Sequence, residues 1–145
     1  MWAVQRANVS LRNGCEIRGC GRSGIVSFGN ARVSVRESNI SHSALHGICA
    51  RGASHIELAD AAITNSGVRG VYVYHNVTLE MRRSSVVGTR DAQAAAVQVE
   101  ALRPGDQCRL RMDDRCRVEG NRGQGVVVKG NVAVEALGAA GDAVC

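Results

Sequence analysis

Apolar residues occur along this chain in short alternating runs, and the runs return every 23 residues. Gly24-Ile25, Gly47-Ile48 and Gly70-Val71 follow one another at that step. Four further columns keep the same phase, namely Val33/Ile56/Leu79, Val35/Leu58/Met81, Ile40/Ile63/Val86 and the small polar column Ser43/Ser66/Thr89. A fixed period of this length is typical of repeat architectures. We therefore interpret the chain as successive copies of one structural unit.

Within each copy the apolar residues alternate with polar ones, which is the pattern of a strand with one buried face. Gly, Asp and Ala separate the runs at bends such as Arg51-Gly52-Ala53 and Ala59-Asp60-Ala61. A unit of three short strands cannot bury its apolar faces alone, but stacked copies can bury them against one another. The pattern predicts a parallel β-solenoid in which residues 23 apart lie over each other.

Less regular copies extend the repeat in both directions. Ile40 steps back to Ile17 and Ile25 steps back to Trp2, while Val97 resumes the first apolar column after three extra residues. The later copies contain Leu110 and Val132, and residues 101–107 form an inserted loop. We expect about six coils of about 23 residues in a single domain, 1–145, with residues 1–7 and 136–145 as candidate caps for the open ends.

The unit G-[IV]-x7-[VIL]-x-[VLM], in residues 24–35, 47–58 and 70–81, resembles the right-handed parallel β-helix family of pectate-lyase-like repeats. The resemblance implies an all-β, single-stranded right-handed parallel β-helix. Members of that family include polysaccharide lyases, polygalacturonases and carbohydrate epimerases, but also phage and viral spike modules and modules of scaffolding proteins. The resemblance therefore predicts the fold and leaves the chemistry open.

The outward positions of the first strand are predicted to form two neighbouring rows. One row contains Gln5, Phe28, Arg51, Tyr74, Glu100 and Lys129, and the other contains Val26, Cys49, Tyr72, Gln98 and Val127. Nearly all the Phe and Tyr residues of this aromatic-poor chain lie here, together with Arg51, and such residues are enriched at protein interfaces. We name Val26, Phe28, Cys49, Arg51, Tyr72 and Tyr74 the aromatic–arginine strip and predict that it binds a partner; cross-strand packing without a ligand is the alternative.

Two pairs of carboxylates are the candidates for catalysis. Glu57 and Glu80 lie on adjacent coils, where they could form an acid–base pair, but flanking arginines make a surface charge ladder the favoured interpretation. Asp113-Asp114 resembles the paired aspartates of polygalacturonases, although the companion Asn-Thr-Asp, Gly-His-Gly and Arg-Ile-Lys motifs are absent. We interpret Asp113 and Asp114 as turn residues.

No metal or cofactor is predicted. His42, His46 and Cys49 have a spacing that would suit a helix face, but they fall on a bend between predicted strands. His42 shares its repeat position with Gly19, Asn65 and Gly88, which indicates a bend residue. The chain also contains no phosphate-binding loop, dinucleotide fingerprint or nucleophile elbow.

Charge and cysteine content narrow the class of partner. The net charge is +5, but acidic residues are interspersed with the basic ones, so nucleic acid is an unfavoured partner. Six cysteines, Cys15, Cys20, Cys49, Cys108, Cys116 and Cys145, are too few for a disulfide scaffold of 145 residues and lack zinc spacing, which favours free thiols in a reducing compartment. The sequons at Asn8, Asn39 and Asn76 are explained by strand composition. Neither a signal peptide nor a transmembrane segment is expected.

These observations favour a non-catalytic structural or binding module over an enzyme. We expect association with a partner protein or with a second copy, through the aromatic–arginine strip or through the open coil ends. The alternative is a carbohydrate-active enzyme, of the lyase or glycoside hydrolase type, or a carbohydrate-binding relative. Four aromatic residues are too few to line a long polysaccharide groove, so a sugar site would be short.

Overall fold

The chain folds into a solenoid of parallel strands, as the 23-residue period predicts. The computed structural model describes residues 1–113 and 115–137, with the backbone alone at 2–4 and 137. This described part contains seventeen strands, β1–β17, and no helix, so it contains no helix that could span a membrane. The strands form three parallel sheets, which we name A, B and C.

Each coil contributes one strand to each sheet in turn. Sheet A consists of β1 (Trp2–Val4), β4 (Ile25–Phe28), β7 (His46–Arg51), β10 (Arg69–Tyr74), β13 (Val97–Glu100) and β16 (Val126–Lys129). Sheet B consists of β2 (Asn8–Leu11), β5 (Arg32–Arg36), β8 (His55–Ala59), β11 (Thr78–Arg82), β14 (Cys108–Asp113) and β17 (Val132–Leu137). Sheet C consists of β3 (Glu16–Arg18), β6 (Asn39–Ser41), β9 (Ala62–Thr64), β12 (Ser85–Val87) and β15 (Arg117–Glu119).

The interior is built from columns of apolar side chains that repeat along the solenoid axis. Val33 pairs with Ile56, and Ile56 pairs with Leu79, so these residues form a single stack. All three are 0% exposed, which confirms the predicted column. Neighbouring parallel strands lie about 4.8 Å apart, so each side chain in the stack contacts its equivalents above and below. Each coil therefore completes the core of its neighbours.

The glycine at the start of each unit is required by close packing between sheets A and C. A Cβ atom on Gly24 would lie 2.6 Å from Ile40 Cγ2 and 2.8 Å from the carbonyl oxygen of Gly47. Gly47 and Gly70 meet the corresponding obstacles, Ile63 and Val86. Ordinary van der Waals contact needs at least about 3.5 Å. The glycine of the repeat is thus explained by a lack of space.

Bends between sheets C and A place the same repeat position in the left-handed region of backbone space. The φ angles are 65° at Gly19, 55° at His42, 55° at Asn65 and 72° at Gly88. Gly and Asn enter this region most readily, and His enters it more readily than most residues do. His42 is therefore a bend residue, as its column predicts.

The register of the first coil differs by one residue from the prediction. Trp2 pairs with Val26, whereas Ile25 was the predicted partner, and Val4 occupies the place in the row beside Phe28 that was predicted for Gln5. Gln5 instead lies in the following turn, with φ 59°. The cause is the turn 12–15 between β2 and β3, which is longer than the turn 37–38 of the next coil. The step is 24 residues before this turn and 23 after it.

The insertion at 101–107 lies between β13 and β14, where the sequence predicts it. Asp106 holds it in place, because its Oδ2 atom accepts hydrogen bonds from His75 Nδ1 at 2.8 Å and from the Arg103 backbone N–H at 2.9 Å. The hydrogen bond from His75 lowers the pKa of Asp106 below its ordinary value. The loop is therefore fastened to the turn that follows β10.

The two ends of the solenoid differ in what the structure describes. Residues 1–7 contain β1, the edge strand of sheet A, and the amino group of Met1 donates to the Gly24 carbonyl at 2.7 Å. The candidate cap at 136–145 begins within β17, and residues 138–145 lie outside the described part. At this end Val128 and Val134 are 42% and 54% exposed.

Candidate functional site: the outer face of sheet A

All six residues of the aromatic–arginine strip lie together on the outer face of sheet A. Phe28 pairs with Arg51 and Arg51 pairs with Tyr74, while Val26, Cys49 and Tyr72 pair in the neighbouring row. Arg51 is exposed and the other five residues are partly buried. The parallel register thus brings together side chains that are 46 residues apart in the chain at its extremes.

Aromatic contacts order the strip. The guanidinium carbon of Arg51 lies 4.2 Å from the centre of the Phe28 ring, a cation–π geometry. The Tyr72 and Tyr74 rings are 4.9 Å apart and inclined at 30°. The ring planes and the Arg51 guanidinium thus have defined positions before any ligand arrives, which reduces the entropy lost on binding.

A shallow cleft of about 260 Å³ opens over the strip, and we name it the sheet A cleft. Four of the six strip residues and Arg51's neighbours on the preceding bends line it: Arg22, Ser23, Val26, Phe28, Leu45, His46, Cys49, Arg51 and Tyr74. Leu45 is 37% exposed, an unusual exposure for a large aliphatic side chain. The floor of the cleft is therefore largely apolar, with arginines at its margin.

The rim residues of the cleft were missed by the sequence analysis. Arg22 and Leu45 precede β4 and β7, and the bend folds them over the edge of sheet A. Leu45 donates its backbone N–H to the Arg22 carbonyl, and Val68 donates to Leu45 in the same way. Arg22, Leu45 and Val68 are 23 residues apart, so the same repeat step could have identified this rim column.

One end of the strip is occupied by a compact hydrogen-bonded network around Glu100. Tyr72 donates its hydroxyl to Glu100 Oε2 at 2.8 Å, Gln98 donates to Oε1 at 2.5 Å, and Lys129 lies 3.3 Å from Oε1. Burial opposes the charge of Glu100, but these hydrogen bonds outweigh it and hold the pKa of Glu100 below its ordinary value. The carboxylate is therefore ionised and fully engaged.

Arg69 joins the same network from the bend side. It donates to Gln98 Oε1 at 2.7 Å, and its guanidinium carbon lies 4.7 Å from the centre of the Tyr72 ring. Burial and the hydrogen bond to Glu100 raise the pKa of Tyr72 well above its ordinary value. Tyr72 consequently stays protonated at every physiological pH and acts as a hydrogen-bond donor.

The two remaining titratable groups of the cleft are uncharged at neutral pH. Burial, and then the charge of Arg69, lower the pKa of His46 from 6.5 to about 4. The His46 Nδ1 atom is buried and has no hydrogen-bond partner among the described residues. Burial raises the pKa of the Cys49 thiol, so this sulfur is protonated and has little nucleophilic character.

The carboxylates considered for catalysis lie on sheet B and are engaged there. Glu57 and Glu80 pair in register, but Glu57 forms an ion pair with Arg36 at 2.8 Å and Glu80 forms one with Arg82 at 3.1 Å. A third pair on this face joins Arg111 to Glu135 at 3.6 Å. The face therefore has the geometry of the charge ladder that the sequence favoured.

Asp113 performs a structural task at the end of β14. Its Oδ1 atom accepts hydrogen bonds from the backbone N–H groups of Arg83, at 2.8 Å, and Arg115, at 3.3 Å, as expected of a turn residue. Asp114, its proposed partner, lies outside the described residues. The structure therefore describes only one member of this candidate pair.

No group of three or more possible metal ligands occurs in the described part of the chain. The cysteines that the structure describes, Cys15, Cys20, Cys49, Cys108 and Cys116, are free thiols, as predicted. Cys145 lies outside that part.

The coils, their parallel register and the shallow outer cleft define a β-helix, a class whose sheets present long, regular outer faces. Comparison with protein families agrees, because the model of the family described as right-handed β-helix region matches residues 3–137. The chain belongs to this right-handed β-helix family. Comparisons with curated proteins and with solved structures found no match.

Proposed function

We propose that this chain is a non-catalytic binding module of a larger assembly and that a partner protein docks on the aromatic–arginine strip. One observation carries the proposal. Arg22 and Arg51 border an apolar cleft, and neither forms an ion pair with a carboxylate of the described residues. Exposed aromatic and arginine side chains around an apolar centre are the typical composition of a protein-binding hot spot.

The condition of the carboxylates supports a binding role over hydrolysis or elimination. A general acid or base needs a carboxyl group that is free to exchange a proton with the substrate. Glu57 and Glu80 are held by arginines, and Asp113 is held by backbone N–H groups. A carbohydrate-active role remains the alternative that the experiment below must separate from docking.

Site-specific photo-crosslinking tests the proposal in the cells that produce the protein. A photoreactive benzoylphenylalanine is placed at Tyr74 in the strip or, as the matched control, at His55 on the outer face of sheet B. We expect a discrete protein adduct from position 74, none from position 55, and loss of the adduct when Arg51→Glu is added. An adduct of twice the mass of the chain would identify the partner as a second copy.

Equal labelling from both positions, or no adduct from position 74, would overturn the docking function. In parallel, the purified chain is incubated with a panel of polyuronides, and release of reducing or unsaturated sugar is measured. Turnover that is abolished by Glu57→Gln or Asp113→Asn would replace the proposal with the enzymatic alternative.

A further inference from the structure

We propose that the sheet A cleft recognises an extended acidic segment of a partner protein, in which a carboxylate side chain alternates with an aromatic or large aliphatic one. This inference rests on the proposed function and specifies the chemistry of the partner. The carboxylate is bound by Arg22 and Arg51 at the margin, and the apolar side chain contacts the floor formed by Val26, Phe28 and Tyr74.

The size of the cleft favours side chains of a protein over a free small molecule. Its volume of about 260 Å³ lies below the roughly 300–1,000 Å³ of typical small-molecule sites, and it is open to solvent along one side. It extends across β4, β7 and β10, which are three strands spaced about 4.8 Å apart. That length of about 10 Å accommodates two alternate side chains of an extended peptide, which lie about 6.7 Å apart.

The charge of the cleft favours an acidic partner. None of its lining residues is Asp or Glu, and His46 and Cys49 are neutral at physiological pH. The acidic residue of the strip's own rows, Glu100, is already bound by Tyr72, Gln98 and Lys129. Arg22 and Arg51 therefore provide a positive charge that no described neighbour compensates, at a place where carboxylate hydrogen bonds are partly shielded from water.

The same charge argues against a second copy as the occupant. A two-fold symmetric contact through this face would bring the arginines of both copies together, because the same patch meets itself in such an interface. The net charge of +5 on each chain adds to that repulsion. An acidic segment of another protein removes the repulsion and fills the apolar floor at once.

Fluorescence anisotropy with synthetic polypeptides tests the inference on the full chain. The probe is a labelled random copolymer of glutamate and tyrosine; polyglutamate and a lysine–tyrosine copolymer of equal length are the comparisons. We expect the glutamate–tyrosine copolymer to bind about tenfold more tightly than polyglutamate, and the lysine–tyrosine copolymer not to bind. Arg51→Gln and Arg22→Gln should each weaken binding about tenfold, the loss expected for one charged hydrogen bond.

Arg32→Gln is the matched control, because Arg32 is exposed on the outer face of sheet B and its replacement removes the same charge. If Arg32→Gln weakens binding as much as Arg51→Gln does, the attraction is only that of a basic protein and the inference is overturned. Equal binding of polyglutamate would overturn it too, because the apolar floor would then contribute nothing. Thermal unfolding of each variant verifies that the fold is intact, and Arg22, on the rim, provides the independent second test.

The two proposals fail in different ways. A crosslinked partner at position 74, combined with no preference for the acidic aromatic copolymer, retains docking and overturns the acidic chemistry. Selective copolymer binding that depends on Arg51, combined with no crosslinked protein, retains the recognition chemistry of the cleft and overturns docking as the cellular function.

Discussion

The outer faces of sheets A and B share one register and one backbone geometry, yet they treat charge in opposite ways. On sheet B, arginines and glutamates on the same or adjacent strands form ion pairs, such as Arg36 with Glu57 and Glu80 with Arg82. On sheet A, Arg51 lies over the Phe28 ring, and no acidic residue lines the cleft beside it. One face satisfies its charges internally and the other does not.

This difference shows how a solenoid separates stability from recognition. The inward residues of both sheets are held to one apolar pattern because they share a core, whereas outward residues contact only their own row and are free to vary. Sheet B uses that freedom for a self-compensated surface that needs no ligand. Sheet A uses it for an apolar cleft with uncompensated cations, a combination that gains free energy when a complementary partner covers it.

The largest effect is expected from a substitution that removes the register on which both faces depend. In Gly47→Ala, the new Cβ would overlap Ile63 Cγ2 and lie 2.7 Å from the Gly70 carbonyl oxygen. Overpacking of this kind costs about 3 kcal/mol or more when backbone must move. Chemical denaturation should show this loss, whereas Gly21→Ala, whose Cβ would meet no atom within 4 Å, should leave stability unchanged within about 0.5 kcal/mol. Equal effects would refute the steric account of the repeat glycine.

The second effect compares one substitution on the two faces. The side chain of Glu100 is 8% exposed and accepts two hydrogen bonds besides its ion pair with Lys129, so Glu100→Gln should cost about 1–2 kcal/mol of unfolding free energy. The side chain of Glu57 is 21% exposed and has a solvated arginine partner, so Glu57→Gln should cost less than about 1 kcal/mol. Urea unfolding of both variants measures the difference, and a larger loss on sheet B would contradict the contrast between the faces.

A third effect is a pH dependence that originates on sheet A. The pKa of His46 is about 4 in the fold and near 6.5 in the unfolded chain, so the unfolded chain binds the proton first. The contribution is fully favourable above pH 6.5 and is lost as the pH falls from 6.5 to 4, by an amount on the order of 1–3 kcal/mol. His46→Gln should remove this part of the slope in denaturation curves measured across that window. The His55→Gln variant of sheet B should retain the slope, and a slope that survives His46→Gln would show that another group causes it.

The smallest effect is expected for the charge ladder itself. Arg36 is 48% exposed, and exposed ion pairs contribute about 0–1 kcal/mol because solvent and salt screen them. Arg36→Gln should therefore change the melting temperature by no more than one or two degrees, and raising the ionic strength should reduce the difference further. A loss comparable to that of Glu100→Gln would mean that the sheet B face is as tightly coupled as the sheet A network.

Much of the architecture was predictable because the repeat step is constant over three coils. The stack of Val33, Ile56 and Leu79 and the grouping of the six strip residues follow from one period and one alternation. The prediction was wrong where that constancy ended. Trp2 and Gln5 lie one position away from their predicted places because the turn 12–15 contains an additional residue, and a single copy at the end of a repeat cannot reveal a changed turn length.

Other features of the site depend on how bends fold in space. The rim position of Arg22 and Leu45 follows from the direction in which the chain turns before each sheet A strand. The bond between His75 and Asp106 joins a turn to an insertion that has no equivalent in the other coils, so no repeat column could predict it.

The sequence by itself determined the solenoid, its coils, its core columns and the membership of each outer row, because superposed copies at a constant step leave no other placement for alternating side chains. Only the tertiary structure decided which charges are paired, which rim residues close the cleft and which ring lies under Arg51. Those outcomes depend on distances of a few ångströms between side chains on different coils, and turn conformation and rotamers set such distances while leaving the repeat itself unchanged.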